Sequence, residues 1–123
     1  MTLYESEVEE AAIQWLKALG YSYIHGTEIA PDSPSPERKA WKDVILEGRF
    51  RASLAAINSH LPADAMEEVA RKVLRLDSPA LEENNHTFQR LLASGVGVQV
   101  RKGGQVRGDI GWLVDFDNPK NND

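Results

Sequence analysis

A chain of 123 residues with 41% hydrophobic and 27% charged side chains can bury one hydrophobic core, and it reads as a single globular domain over residues 1–123. The absence of cysteine excludes disulfides, thiolate-bound zinc and thiol catalysis. A net charge of −5 argues against a dedicated DNA-binding module, although a local basic strip can sit on an acidic whole.

The opening Met1-Thr2-Leu3-Tyr4-Glu5-Ser6-Glu7 is acidic and lacks the apolar centre of a signal peptide. No apolar run reaches the length of a membrane span, so no membrane partner is expected. Val8, Ala11, Ala12, Trp15, Leu16 and Leu19 recur at helical spacing and predict a helix over about Glu5 to Leu19, ended by Gly20. Glutamates 5, 7, 9 and 10 load its first turns, where the helix dipole favours negative charge. Tyr21-Ser22-Tyr23-Ile24 alternates weakly and could form a short strand. His25 to Pro36 reads as loop, because Pro31, Pro34 and Pro36 remove backbone donors.

Three further helices are expected. Leu46, Phe50, Leu54 and Ile57 share one face, with Asn58 as the stop. Leu61-Pro62 opens the next helix, with Pro62 near its first position and Met66, Val69, Val73 and Leu76 turned inward. Ser78-Pro79 starts a segment that Asn84-Asn85 should interrupt. A new helix capped by an asparagine then buries Phe88, Leu91 and Leu92 and closes at Gly95. Beyond it the period changes to two. Val96, Val98 and Val100 alternate with polar or small residues, Lys102-Gly103-Gly104-Gln105 reads as a hairpin turn, and Val106 to Val114 reads as the returning strand. The expected class is α+β, helices first and an antiparallel hairpin last. The polar stretch Asp115 to Asp123 reads either as a frayed end or as the cut edge of a longer protein.

Two motifs resemble metal chemistry. Pro31-Asp32 with Glu37-Arg38-Lys39 spells the letters of a PD-(D/E)xK nuclease signature, which requires its carboxylates on neighbouring strands around one Mg²⁺. The intervening prolines leave no room for two paired strands, so a surface loop is expected. Asp115-Phe116-Asp117 hints at a calcium loop but lacks the required glycine and glutamate. His25, His60 and His86 show no metal-ligand spacing. Arg38, Lys39 and Lys42 form a small basic cluster, either a solvated face or a DNA phosphate contact. Glu9 stands at the border of the apolar stripe. It is either an accessory metal-site acid or a helix-start glutamate stabilised by the dipole.

Taken in order, several pieces resemble one family. Glu5-Ser6-Glu7-Val8-Glu9, Trp15-Leu16, Leu19-Gly20-Tyr21, His25-Gly26, Ala30-Pro31-Asp32, Pro36-Glu37-Arg38 and Asp43-Val44-Ile45-Leu46 are similar to the start of type I restriction enzyme R subunits (HsdR-like proteins). Ile57-Asn58, Leu61-Pro62, Asn84-Asn85, Phe88, Gly95-Val96 and Val114-Asp115-Phe116-Asp117-Asn118-Pro119 continue the likeness over nearly the whole chain. The resemblance implies a PD-(D/E)xK nuclease domain, Mg²⁺-dependent DNA cleavage, ATP-driven translocation, and assembly with methylation and specificity subunits in the cytoplasm. It further implies that the catalytic aspartate and Glu-x-Lys pair follow Asp115 to Asp123, so this portion alone is expected to be inactive and to need no cofactor. Glu9 matches the family's first-helix glutamate. The competing expectation is a small interaction module whose open hairpin edge pairs with a partner chain.

Overall fold

The computed structural model describes residues 2–123. Its elements are α1 (Glu5–Ala18), a 3₁₀ turn (Gly26–Glu28), α2 (Glu47–Ile57), α3 (Ala63–Leu74), α4 (Leu81–Ser94), β1 (Val96–Lys102), β2 (Gln105–Gly111) and a 3₁₀ turn (Pro119–Asn121). Among the described residues the class is therefore α+β, with the helices first and one antiparallel pair last. The chain divides into two compact units, one up to Asp43 and one over Val44–Asp123.

In the first unit α1 starts where expected, and the Tyr4 N–H donates to the Glu7 carboxylate at 2.9 Å. It ends in a Schellman motif: Gly20, at φ +99°, donates to Lys17 O at 3.0 Å, and Tyr21 donates to Leu16 O at 3.1 Å. The apolar stripe forms but is not covered within its unit, for Trp15 is 71% and Leu19 76% exposed. The short strand considered over Tyr21 to Ile24 is absent. Among the described residues of this unit no second strand takes up its backbone groups, and an unpaired strand has nothing to hold it. The proline-rich loop is instead pinned by Ile29 O, which accepts from Glu37 N at 3.1 Å and Arg38 N at 3.2 Å.

In the second unit α3 is the central helix. Its inner residues Ala65, Val69, Ala70 and Val73 join Leu54, Leu61, Val96 and Val98 in the core, with Phe50, Met66, Phe88 and Leu91 packed around them. Spacings of four, one and three residues place these four side chains of α3 on one stripe. That stripe lies over the alternating face of β1, where Val96 and Val98 are buried and Val100 half-buried. The strands pair from Val96↔Gly111 to Lys102↔Gln105. Gly103 and Gly104, at φ +60° and +78°, supply the two left-handed positions of a type I′ turn. Arg51 ties α2 to α3 by donating to Glu67 at 2.7 Å and to Glu47 at 3.0 Å.

Pro62 stands immediately before Ala63, next to the first position of α3 as expected. Three boundaries differ from the sequence expectation. Leu76 lies past the end of α3 and is half-buried. α4 runs unbroken through Asn84-Asn85, because the Asn84 side chain reaches back to the preceding loop. There its Oδ1 accepts from Ser78 N at 3.1 Å and its Nδ2 donates to Ser78 O at 2.9 Å, which leaves the helix backbone undisturbed. Finally, β2 stops at Gly111 rather than Val114, since the next residue finds a side chain instead of a strand.

Candidate functional site

That side chain is Asn58, at the carboxyl end of α2 and 0% exposed. Its Oδ1 accepts from Trp112 N at 2.7 Å, while its Nδ2 donates to Trp112 O at 2.7 Å and to Leu54 O at 2.9 Å. One amide thus serves both backbone groups of Trp112, as a neighbouring strand would. Sequence reading makes Asn58 a helix stop; nothing local signals a partner 54 residues away.

Around this joint lies a cleft of about 340 Å³ lined by Ile57, His60, Trp112, Val114, Asp115, Phe116 and Asp117. His60 Nε2 donates to Ile110 O at 3.0 Å, and the Asp109 carboxylate stands 3.9 Å from the same nitrogen. The outward N–H of Ile110 donates to that carboxylate at 2.8 Å. On the opposite edge, Lys72 Nζ donates to Gly97 O at 2.7 Å. Gly97 and Ile110 face each other in the register, so both outer edges of the hairpin are covered at its base.

The stretch from Asp115 to Asp123 is a closed loop. Asp115 Oδ1 accepts from Asp117 N at 3.1 Å and Asn118 N at 2.9 Å, and its Oδ2 accepts from Asn121 Nδ2 at 2.9 Å. Asn122 returns to bond both backbone groups of Asp115, at 2.8 and 3.0 Å. The Asn121 amide, then the Asn118 N–H, hold the Asp115 carboxyl below its ordinary 3.8. A folded value below the unfolded one means that this contribution to loop order is complete above the unfolded value. It is lost as pH falls through the folded value. Amide resonances of Asp117, Asn118 and Asn121 are therefore expected to shift together only below the ordinary 3.8, with no such transition in Asp115→Asn. A midpoint at or above 3.8 would contradict the assignment.

The other candidate residues belong to the first unit, apart from His86 on α4. Glu9 is exposed on α1. In the loop after it, Arg38 donates through Nε to Asp43 O at 3.0 Å and through Nη2 to Trp41 O at 2.8 Å, bracing the turn that carries exposed Lys39 and Lys42. Asp32 and Glu37 occupy that irregular segment and not two strands. His25 accepts from Thr27 N at 3.2 Å, and His86 is exposed on α4. Among the described residues no three His, Asp or Glu side chains gather in metal-binding range. No described helix is long and apolar enough to cross a membrane.

Comparison with known proteins gives the chain a class, that of the N-terminal regions of type I restriction enzyme R proteins. Residues 2–123 match the family described as type I restriction enzyme R protein N terminus, and the chain belongs to that family. It is 35% identical over 116 residues to the protein of Methanocaldococcus jannaschii named for the type I restriction enzyme MjaIXP endonuclease subunit, over 94% of this chain and 11% of that relative. It is 28% identical over 120 residues to the type I restriction enzyme HindI endonuclease subunit of Haemophilus influenzae, over 98% of this chain and 11% of that relative. The chain thus spans 11% of the length of each. No solved structure matches it.

Proposed function

We propose that residues 1–123 form the first part of a PD-(D/E)xK nuclease domain in an R subunit that cuts DNA with Mg²⁺ and moves along it with ATP. In this reading the subunit works in the cytoplasm with methylation and specificity subunits. The observation that carries the proposal is the family match over residues 2–123. Both units belong to one nuclease domain, and its catalytic aspartate and Glu-x-Lys pair follow the Asp115 loop. Glu9 acts as an accessory acid of that centre. Arg38, Lys39 and Lys42 contact phosphate, with Arg38 fixing the turn that carries the two lysines.

The residues in hand do not fit a Mg²⁺ site by themselves. Mg²⁺ needs free oxygen ligands in octahedral array, and the Asp115 carboxylate already accepts three N–H bonds. Residues 1–123 with Mg²⁺ are expected to leave a supercoiled plasmid uncut, whereas a longer chain carrying the following strands cuts it. In that longer chain Glu9→Gln should slow cleavage about tenfold or more while DNA binding is kept. Cutting by residues 1–123 alone, lost on Asp115→Ala, would overturn the reading in favour of a self-contained hydrolase.

A further inference from the structure

The hairpin carries a feature that the function above does not use. Val100-Arg101-Lys102-Gly103-Gly104-Gln105-Val106-Arg107 holds three cations and no carboxylate, in a chain whose net charge is −5. Every residue of this stretch except half-buried Val100 is exposed. Elsewhere in the same unit, Arg51 and Lys72 are paired with glutamates. The side chains of Arg101, Lys102 and Arg107 have no hydrogen-bond or ion-pair partner among the described residues.

The register says where these charges point. Residues directly opposite each other share a face of the ribbon. Val100↔Arg107 and Lys102↔Gln105 therefore put Arg107 and Lys102 on one face as diagonal neighbours, and Arg101↔Val106 puts Arg101 on the other. The tip between them is Gly103-Gly104, with no side chain to widen it. The result is a slim two-stranded ribbon about 5 Å between strands, with positive charge on both faces.

The geometry points to duplex DNA as the partner of this tip, held through its phosphates. A groove about 12 Å wide admits a two-stranded ribbon and presents phosphates along both walls, matching cations on both faces. A membrane surface or an acidic peptide meets one face only, and the tip offers either a single exposed apolar side chain, Val106, and no aromatic one. This inference rests on the proposal that the family's target is DNA, and it assigns part of the contact to Arg101, Lys102 and Arg107.

The test is fluorescence anisotropy of a labelled DNA duplex with residues 1–123 over graded salt. It compares the wild-type chain, the triple variant Arg101→Gln/Lys102→Gln/Arg107→Gln, and a control of equal charge change, Arg71→Gln/Arg75→Gln/Arg90→Gln. Each phosphate contact contributes about 0.9 to the slope of log affinity against log salt. The hairpin variant should therefore lose about 2–3 from that slope and at least about tenfold in affinity, equally for unrelated sequences. The control should lose less than about 1 from the slope. Thermal melting should be unchanged in the hairpin variant, because its three side chains are exposed. If the wild-type chain binds DNA and the hairpin variant matches either wild type or control, the hairpin assignment falls and DNA as target stands. Binding to poly-glutamate as tight as to DNA also overturns the assignment. If the wild-type chain does not bind the duplex even at low salt, the DNA reading falls with it.

Discussion

Gly111→Ala is expected to lower the unfolding free energy by about 1–3 kcal/mol, the range for forcing one extra carbon into a packed core. Gly111 is buried at the end of β2, and a Cβ built there would overlap Val69 Cγ2. It would also stand 3.3 Å from Val69 Cγ1 and 3.4 Å from Leu61 Cδ1. Val69 has 0% exposure and no free space to turn into, so either the helix or the strand must move. The clash is specific, which makes it separable from general damage. Val69→Ala alone should cost about 2 kcal/mol through lost burial and the cavity left behind. Combined with Gly111→Ala, it should restore at least about 1 kcal/mol relative to the sum of the two single effects. Urea unfolding followed by circular dichroism measures all three. A Gly111→Ala chain within about 0.5 kcal/mol of wild type, the scatter of neutral surface changes, would falsify the close-approach argument.

Asn58→Ala should be at least as damaging, at about 2–4 kcal/mol, because it strands buried polar groups as well as removing hydrogen bonds. The N–H and C=O of Trp112 lose their partner together. Asn58→Asp is the sharper test, since it is nearly the same size. A carboxylate can still accept from Trp112 N but cannot donate to Trp112 O or Leu54 O, and it places a charge in a site of 0% exposure. Its folded pKa is therefore raised above the unfolded value, so stability is fullest at low pH and declines as pH rises through the unfolded and then the folded value. The Asn58→Asp chain should be more stable near pH 4 than at pH 7, the reverse of the usual acid sensitivity of carboxylates. Equal stability at both pH values would show that the side chain has swung to solvent and that the amide bridge is dispensable.

Much of this architecture was legible in the sequence because its signals are local. The 3.6-residue period of Val8 to Leu19, the glycine stops at Gly20 and Gly95, and the alternation at Val96, Val98 and Val100 each arise within one element. What was hidden depends on residues far apart. Asn84 reads as a helix breaker because its side chain competes with the backbone, but here it is satisfied by Ser78 and the helix continues. Val114 reads as strand by composition, yet the strand ends three residues earlier, at Gly111, because Asn58 takes Trp112. The same holds for the cleft. The sequence names Asp115 and His60 separately, while the amide at Asn58 that seats Trp112 between them leaves no trace in local spacing. The family itself was legible because many weak local matches occur in one order, which needs no knowledge of contacts.

The side chains at the base of the hairpin also bear on how the protein behaves at high concentration. A two-stranded sheet offers two open borders along which identical molecules can stack by backbone pairing. Lys72 on Gly97 and the His60–Asp109 pair on Ile110 occupy the bonding positions deepest in those borders. Further out, Arg101 and Arg107 set like charges against like in any such stack. The hairpin therefore carries its own protection against growing into fibres.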